Sequence, residues 1–302
     1  MNYILQTNSL TKKYKNFQAL NGLTMNVPKG SIYGFVGKNG AGKTTLIRLI
    51  CGLQEPTSGS FSLYGIRNDS KDIIKSRRRM GAVVETPSIY MDMTAEENLK
   101  HQYLILGLPS FDCIQELLKL VGLDNTGEKK AKNFSLGMKQ RLGIAMALAR
   151  FPKLLILDEP TNGLDPAGIE EMRELIKMLP KQYGMTVMIS SHILSEIDQM
   201  ATVVGIINQG CLIFQERMSV LDMQREPQII LRTSDNNHAF QLLKKANPQR
   251  TTDGLQIGAL TDEQTGAVVQ CLCSNGISVY RVEEHRESLE DIFLNLTGKE
   301  LT

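Results

Sequence analysis

GFVGKNGAGKTTL, residues Gly34 to Leu46, is the stretch that decides how this chain folds. It contains the spacing G-x4-G-K-T, the Walker A pattern, in which glycines allow successive backbone N–H groups to turn inward around phosphates. Lys43 is placed to reach the β- and γ-phosphates of a nucleoside triphosphate, and the Thr44 hydroxyl to bind Mg²⁺. The residues predicted to contact nucleotide here are Gly37, Lys38, Asn39, Gly40, Ala41, Gly42, Lys43, Thr44 and Thr45.

The loop has the flanking segments that its mechanism requires. A compact apolar run before it, Ile32 to Val36, is typical of a buried strand. After it a helix is predicted from about Lys43 to Cys51, with Gly52 at its C-terminal end. Further apolar runs separated by possible helices predict an α/β domain of the P-loop type. These runs are Met80–Val84, Leu154–Leu157, Met185–Ser190 and Val203–Ile207.

Three other parts of the chain have a different pattern. Alternating segments between residues 1 and 30 predict an antiparallel β subdomain. Strand signals disappear between about residues 86 and 133, where Ala95–Gly107 and Phe111–Gly122 predict a helical insert. Strands and helices alternate again near the C-terminus, with a last strand at Ile277–Val282. We therefore predict a nucleotide-binding domain over 1–216 and a small accessory α/β domain over 217–302.

Composition narrows the possible classes of function. Of the 302 residues 42% are hydrophobic, enough for a full core, and the net charge of +2 gives no basic field that would favour nucleic acid. No apolar run is long enough to cross a bilayer, and the N-terminus lacks the layout of a signal peptide. Five cysteines without a C-x-x-C pair fit a reducing compartment. We expect a protein of the cytoplasm with no transmembrane segment of its own.

LLILDEP, residues Leu154 to Pro160, predicts a buried strand that ends in two acids. Asp158 is placed to meet Mg²⁺ through its water shell, because magnesium keeps most of its waters. Glu159 is placed to polarise a water in line with the γ-phosphate. An apolar strand ending in acids is common by itself, but together with the glycine loop it indicates triphosphate hydrolysis.

NFSLGMKQR, residues Asn133 to Arg141, predicts the start of another helix. Ser135 is placed as the N-cap, Gly137 permits a close approach to the backbone, and a helix N-terminus of this kind favours an anion. An apolar stripe predicts that one side of the helix packs on its own domain while the N-terminus points outward. The stripe consists of Met138, Leu142, Ala145, Met146 and Ala149.

The motifs taken together, in their order, resemble the nucleotide-binding subunit of an ATP-binding cassette (ABC) transporter over about residues 3 to 215. The resemblance implies ATP hydrolysis in a head-to-tail dimer, with a second copy of the chain expected as partner. Ser135 and Gly137 would then contact the γ-phosphate held by that partner. It also implies separate permease subunits that hold the chain at the cytoplasmic side of the membrane. The motifs are Gly37–Thr44, Asn133–Arg141, Leu154–Pro160, NGLDP and SSH.

The signature departs from the family's LSGGQ pattern at three positions. Phe134 replaces the leucine, Leu136 the first glycine and Met138 the glutamine. The serine and the second glycine, which the family uses against phosphate, are retained as Ser135 and Gly137. We therefore expect the signature to keep its function.

The resemblance assigns three further residues. Asp165 corresponds to the loop that signals across the dimer, although it also suits an N-cap before Pro166. His192 corresponds to the family's switch histidine, which contacts the γ-phosphate. Tyr14 corresponds to the aromatic residue that stacks on adenine, with Phe17 and a plain strand-edge role for Tyr14 as alternatives.

Glu85 occupies a position at which the family usually has a glutamine that reaches Mg²⁺. A carboxylate is a good magnesium ligand but adds negative charge near the triphosphate, and a solvated loop acid is the alternative. This glutamate and FSLGMKQRLGIAMAL resemble the subgroup for bacterial peptide-antibiotic export and immunity, of the bacitracin and lantibiotic type. The C-terminal stretch SLEDIFLNLTGKEL resembles that of such exporters as well.

The leading hypothesis is an ATPase that drives export by separate membrane-spanning subunits. We expect the insert after Glu85 to offer a groove for the permease, lined by Ile89, Tyr90 and Met91. These three apolar residues suit the core of the insert equally well. An ABC importer subunit is an alternative, as is a non-transport ABC ATPase on ribosomes or DNA. The single cassette and the lack of sustained heptads argue against the latter. A P-loop kinase or GTPase would not explain the signature around Ser135 or the adjacent acids Asp158 and Glu159.

Overall fold

A computed structural model describes residues 2–224, 227–251 and 254–298 of the chain. It divides into two compact units, one reaching to Met218 and the other covering Ser219–Asn295. The end of the stretch SLEDIFLNLTGKEL, and with it the limit of the predicted accessory domain at residue 302, lies outside the described residues. Across the described ranges, no helix has both the length and the apolar composition needed to span a bilayer.

The first unit contains two sheets and a helical insert, which lies between two successive strands of the larger sheet. Its elements, in chain order, are β1 (Tyr3–Tyr14), β2 (Phe17–Leu23), β3 (Asn26–Pro28), β4 (Ile32–Val36), α1 (Lys43–Cys51), β5 (Ser58–Leu63), β6 (Ile66–Arg67), α2 (Ile73–Arg77), β7 (Met80–Val83), α3 (Ala95–Leu106), α4 (Ile114–Leu120), α5 (Leu136–Leu148), β8 (Leu154–Asp158), α6 (Pro166–Tyr183), β9 (Thr186–Ser191), α7 (Leu194–Met200), β10 (Val203–Asn208) and β11 (Cys211–Arg217).

The central sheet has the strand order β11-β10-β4-β9-β8-β7 and is parallel except for β11. Strands β4, β8 and β9 are fully buried, which explains their continuous apolar sequences. These three strands are neighbours, so the segments that follow their carboxyl ends meet at one edge of the sheet. The sequence motifs come together there.

The predicted β subdomain is confirmed and is larger than the first 30 residues. Its order is β2-β1-β5-β6, with β3 also on β1, and all of its pairs are antiparallel. Strands β5 and β6 come from after α1. They join this sheet because β1, with 12 residues, is long enough to pair with β2, β3 and β5.

The helical insert is confirmed as α3 and α4 and is fastened at its entry. Thr94 caps α3 in a reciprocal capping box with Glu97. Asn98, fully buried, holds the preceding loop by accepting from Tyr90 N at 2.7 Å and donating to Tyr90 O at 3.0 Å. The loop between β7 and α3 is therefore fixed by buried hydrogen bonds.

The C-terminal unit has its own sheet and core. Its strands pair antiparallel in the order β13 (Gln249–Arg250), β14 (Leu255–Ile257), β12 (Gln228–Thr233) and β15 (Val279–His285). The last strand runs to His285, three residues beyond the predicted end, because its charged residues carry no burial pattern. From Met218 onward the elements are α8 (Met218–Gln224), β12 (Gln228–Thr233), α9 (Asn236–Leu242), β13 (Gln249–Arg250), β14 (Leu255–Ile257), α10 (Asp262–Ser274), β15 (Val279–His285) and α11 (Leu289–Thr297). Its core is Ile229, Leu231, Ala239, Leu243, Leu255, Ile257, Leu272 and Ile277.

Candidate nucleotide site

The glycine loop joins β4 to α1 and needs its glycines for two different reasons. Gly42 has φ +113°, and a Cβ there would lie 2.5 Å from the carbonyl oxygen of Ala19. Gly40 has φ +79° and open space around it, so only its backbone conformation demands glycine. The loop is thus a backbone cradle beside β2, of the shape that phosphate groups require.

Lys43 is buried at the bottom of this cradle. Its Nζ donates to the carbonyl oxygens of Gly37 at 2.6 Å and Lys38 at 3.2 Å. It also lies 3.1 Å from Oε1 of Glu159, the residue that follows β8. The lysine predicted to reach phosphate therefore tethers the loop and pairs with the predicted catalytic carboxylate.

Glu159 contacts both Lys43 at the end of the glycine loop and a residue just beyond β9. Its φ of +50° lies in the left-handed region, which a non-glycine residue seldom adopts and which turns the chain sharply after β8. Its second carboxylate oxygen, Oε2, lies 2.7 Å from Nδ1 of His192, just beyond β9. The structure thus brings Lys43, Glu159 and His192 together in one cluster.

Ser190 is a site residue that the sequence did not reveal. It is fully buried on β9, where its Oγ donates to Asp158 Oδ1 at 2.6 Å and accepts from Glu159 N at 2.9 Å. One hydroxyl therefore orients both acids that follow β8. The available signal was the motif SSH, in which only the histidine was given a role.

Asp158 and Thr44 offer the donors that Mg²⁺ prefers. Asp158 is buried at the carboxyl end of β8, and Thr44 is in the first turn of α1 beside Lys43. Both supply oxygen ligands, and magnesium typically takes one or two protein ligands together with substrate phosphates and waters. The donor set fits the ion.

Glu85 follows β7 with φ +61°, and 54% of its side chain is exposed. Its Oε1 forms an ion pair with Arg48 of α1, a residue that the sequence did not single out. The glutamate is therefore not a free loop acid, because a cation from the helix after the glycine loop holds it. Its role as a magnesium ligand stays a prediction.

The signature serine begins α5 as predicted. Ser135 accepts a hydrogen bond from Met138 N at 3.2 Å and is exposed, as is Leu136 beside it. Asp165 likewise caps α6 by accepting from Gly168 N at 3.2 Å. Among the hydrogen bonds and ion pairs of the described residues, none links Ser135, Gly137 or Asp165 to the Lys43 cluster.

Tyr14 lies at the end of β1, directly opposite Phe17 on β2. Its hydroxyl donates to Gln54 Oε1, and the Nζ of Lys12 lies 5.2 Å from the centre of its ring. Phe17 has no such partner within the described residues and is the more exposed of the two rings. The tyrosine is the better oriented candidate for stacking on a base.

Comparison with known proteins decides the family. The bacitracin transport ATP-binding protein BcrA of Bacillus licheniformis is 43% identical over 302 residues, covering 99% of this chain and 98% of the relative. The model of the family described as ABC transporter matches residues 20–162. The chain belongs to the ABC transporter family. It is an ATP-hydrolysing enzyme with the predicted P-loop fold, and ATP is its nucleotide.

Two further relatives of this ABC protein bear on its assembly and subgroup. The lantibiotic transport ATP-binding protein SrtF of Streptococcus pyogenes is 46% identical over 213 residues, covering 70% of this chain and 90% of the relative. The solved dimeric cassette MJ0796, in a post-hydrolysis state with ADP and Pi, has a TM-score of 0.64 and 27% identity. It covers 71% of this chain and 98% of its own. The predicted subgroup is confirmed.

Proposed function

We propose that this ATPase powers export of a peptide antibiotic of the bacitracin class through separate permease subunits. The observation that carries the proposal is the extent of the similarity. The bacitracin relative matches 99% of this chain, its C-terminal unit included, whereas the lantibiotic relative matches 70%. An exporter that shares the accessory unit as well as the cassette is the better guide to cargo.

Hydrolysis requires two chains in a head-to-tail arrangement. Ser135 is the exposed N-cap of α5 and Gly137 lies in its first turn, and no hydrogen bond or ion pair of the described residues joins either to the Lys43 cluster. A second copy of the chain places its own α5 N-terminus, with free N–H groups, against the γ-phosphate held by Lys43. ATP thus joins two half-sites, and Asp165 couples them, because its neighbour Leu164 would lie 3.6 Å from a Cβ on Gly137 of the signature.

The residues of the cluster then have distinct tasks. Lys43 neutralises phosphate charge, Glu159 accepts the proton of the attacking water, and His192 orients the γ-phosphate. Thr44, Asp158 and Glu85 would hold Mg²⁺, which neutralises charge on the phosphate oxygens when bound. Tyr14 stacks on adenine. Glu159 contacts both Lys43 and His192, so a triphosphate bound by Lys43 competes with this carboxylate for the lysine.

A groove of about 310 Å³ next to Glu85 suits the cytoplasmic loop of a permease. The loop after β7, α3 and α5 line it, and Pro87 packs so closely that a Cβ on Gly143 would lie 2.5 Å from its side chain. Tyr90 and Met91 are exposed nearby while Ile89 is half-buried. A permease docked here holds the chain at the cytoplasmic side of the membrane.

Growth inhibition of a bacitracin-sensitive bacterium tests the cargo. The chain is expressed with the permease genes adjacent to its own, and inhibitory concentrations are measured for bacitracin, a lantibiotic and an unrelated cationic drug. We expect protection against bacitracin that disappears in Glu159→Gln. Equal susceptibility to bacitracin with wild type and variant would overturn the proposal, whereas protection confined to the lantibiotic would reassign the cargo.

A further inference from the structure

The last strand of the C-terminal unit, β15, has a bare edge. It forms the end of the sheet and pairs only with β12 among the described strands. From Tyr280 to His285 every residue is exposed. An edge of this kind presents unpaired N–H and C=O groups, and proteins commonly protect it with lysine or proline. The sequence VYRVEEH contains neither, and its charged residues are of both signs, so they do not give the edge a repulsive charge of one sign.

One row of apolar side chains stops abruptly at this edge. Leu255 on β14 is paired with Leu231 on β12, and Leu231 with Val282 on β15. The first two are fully buried, but 38% of Val282 is exposed although it lies on the same side of the sheet. The row would be completed by another apolar residue directly opposite Val282.

The charges on β15 are complementary to themselves. Arg281 and Glu283 flank Val282 and share the other side of the sheet, where they form an ion pair of 3.2 Å. If a second β15 pairs antiparallel with its centre at Val282, each Arg281 lies opposite the Glu283 of the other copy. Opposite charges in directly opposed positions stabilise a strand pair, and like charges destabilise it.

We propose that two copies of this chain associate through β15, antiparallel and centred on Val282, to join their C-terminal sheets. The two valines meet on the two-fold axis and extend the Leu255–Leu231–Val282 row into the second copy. Backbone hydrogen bonds and two Arg281–Glu283 pairs accompany them. The bulge of β15, at Tyr280, lies outside this central segment.

A cysteine placed on the two-fold axis tests the register. In full-length, nucleotide-free protein with the exposed Cys271 and Cys273 changed to serine, Val282→Cys is oxidised with copper phenanthroline. Directly opposed Cα atoms are about 4.5–5.5 Å apart, within the range of about 4.4–6.8 Å that a disulfide spans. We expect a covalent dimer on a non-reducing gel.

Tyr280→Cys in the same background is the matched control. Tyr280 is more exposed than Val282, 66% against 38%, so random collisions would favour its oxidation. In the proposed register, however, it lies about 13 Å along the strand from its counterpart. A dimer from Val282→Cys and none from Tyr280→Cys supports the proposal. Equal or reversed yields, or no dimer from either variant, overturn it.

A charge exchange separates pairing between chains from the pair within one chain. Arg281→Glu and Glu283→Arg each place like charges opposite one another and break the internal pair, so each should weaken self-association by about tenfold. Mixing the two variants restores both contacts between chains and neither internal pair. We expect the mixture to associate in analytical ultracentrifugation, and a mixture as monomeric as its components would overturn the proposal.

The association is independent of the proposed function. Both experiments are carried out without nucleotide. They therefore detect association through β15 even if the ATP-dependent head-to-tail dimer does not form. Conversely, Val282→Cys and Arg281→Glu leave Lys43, Glu159 and Ser135 untouched. A variant that loses association through β15 but still protects against the antibiotic would show that the two proposals are independent.

Discussion

The Nζ of Lys43 lies 3.1 Å from Oε1 of Glu159. This ion pair joins the lysine predicted to bind phosphate to the carboxylate predicted to activate water. A triphosphate offers Lys43 more negative charge than one carboxylate does, so binding can release Glu159 toward the attacking water. The carboxylate and a triphosphate are therefore predicted to compete for one lysine.

Replacing Glu159 by glutamine should separate binding from hydrolysis. Glutamine keeps the shape but cannot accept a proton, so we expect kcat to fall by about 100-fold or more. The substitution also removes the negative charge that competes with phosphate for Lys43, so ATP should bind at least as tightly as it does to the wild type. Phosphate release, ATP titration and light scattering measure these effects, with the ATP-bound variant expected to be dimeric.

The control for this variant is Glu174→Gln. Glu174 is an exposed acid of α6 that forms an ion pair of 3.2 Å with Lys177, and its loss should leave turnover unchanged. Normal hydrolysis by Glu159→Gln would move the catalytic base to another residue.

Ser190→Ala should reduce turnover without touching a group that contacts substrate. It removes the donor to Asp158 Oδ1 and the acceptor for Glu159 N, so both acids lose an orienting bond at once. Leaving the partners of a buried hydroxyl unpaired costs about 1–3 kcal/mol. We expect a lower kcat with the KM for ATP changed little, and a reduced Tm.

Ser191→Ala provides the comparison for Ser190. Ser191 is also buried on β9, but among the described residues its hydroxyl bonds only with Ile193, with Ile193 O at 3.3 Å and Ile193 N at 3.0 Å. A fall in kcat common to both variants would indicate general damage to β9 instead of a specific role for Ser190.

The features that the sequence predicted well are local. Gly52 closes α1 with φ +80°, and Ser135 and Asp165 cap α5 and α6, because each depends on residues within a turn of the helix. Continuous apolar runs likewise predicted the buried strands β4 and β8. Such signals need no knowledge of what lies across the sheet.

The contacts that the sequence missed depend on register between distant segments. Ser190 meets Asp158 because β8 and β9 are neighbours in a parallel pair, 32 residues apart in the chain. Arg48 meets Glu85 across a separation of 37 residues. No local sequence pattern predicts either of these contacts. For the same reason the alternation after residue 216 predicted the strands of the C-terminal unit but not their antiparallel pairing.

Glu85→Gln should keep ATP binding and change turnover. Glutamine restores the residue usual for the family, removes a negative charge beside the triphosphate and frees Arg48 from its ion pair. We expect kcat and the Mg²⁺ concentration for half-maximal rate to change together, measured by titrating Mg²⁺ at saturating ATP.

Arg48→Gln removes the other half of this pair and shows which effect dominates. If Glu85 acts mainly as a magnesium ligand, Arg48→Gln leaves it negative and free, and the Mg²⁺ requirement should decrease. Unchanged rate and unchanged metal dependence in Glu85→Gln would remove the case for Glu85 as a ligand.

Ser135→Ala should abolish the working dimer at a small cost in stability. Loss of an N-cap costs about 1 kcal/mol, so the fold should persist.

Thr94→Ala is the matched control, because Thr94 caps α3 in the same way, by accepting from Glu97 N at 3.2 Å, but lies outside the signature. Both variants should lose similar thermal stability, measured as Tm. Only Ser135→Ala should lose ATP-dependent dimerisation and most of its ATPase activity, because only that hydroxyl is proposed to face the nucleotide of a second chain. Equal activity in the two variants, or full activity from a strictly monomeric protein, would contradict the shared site.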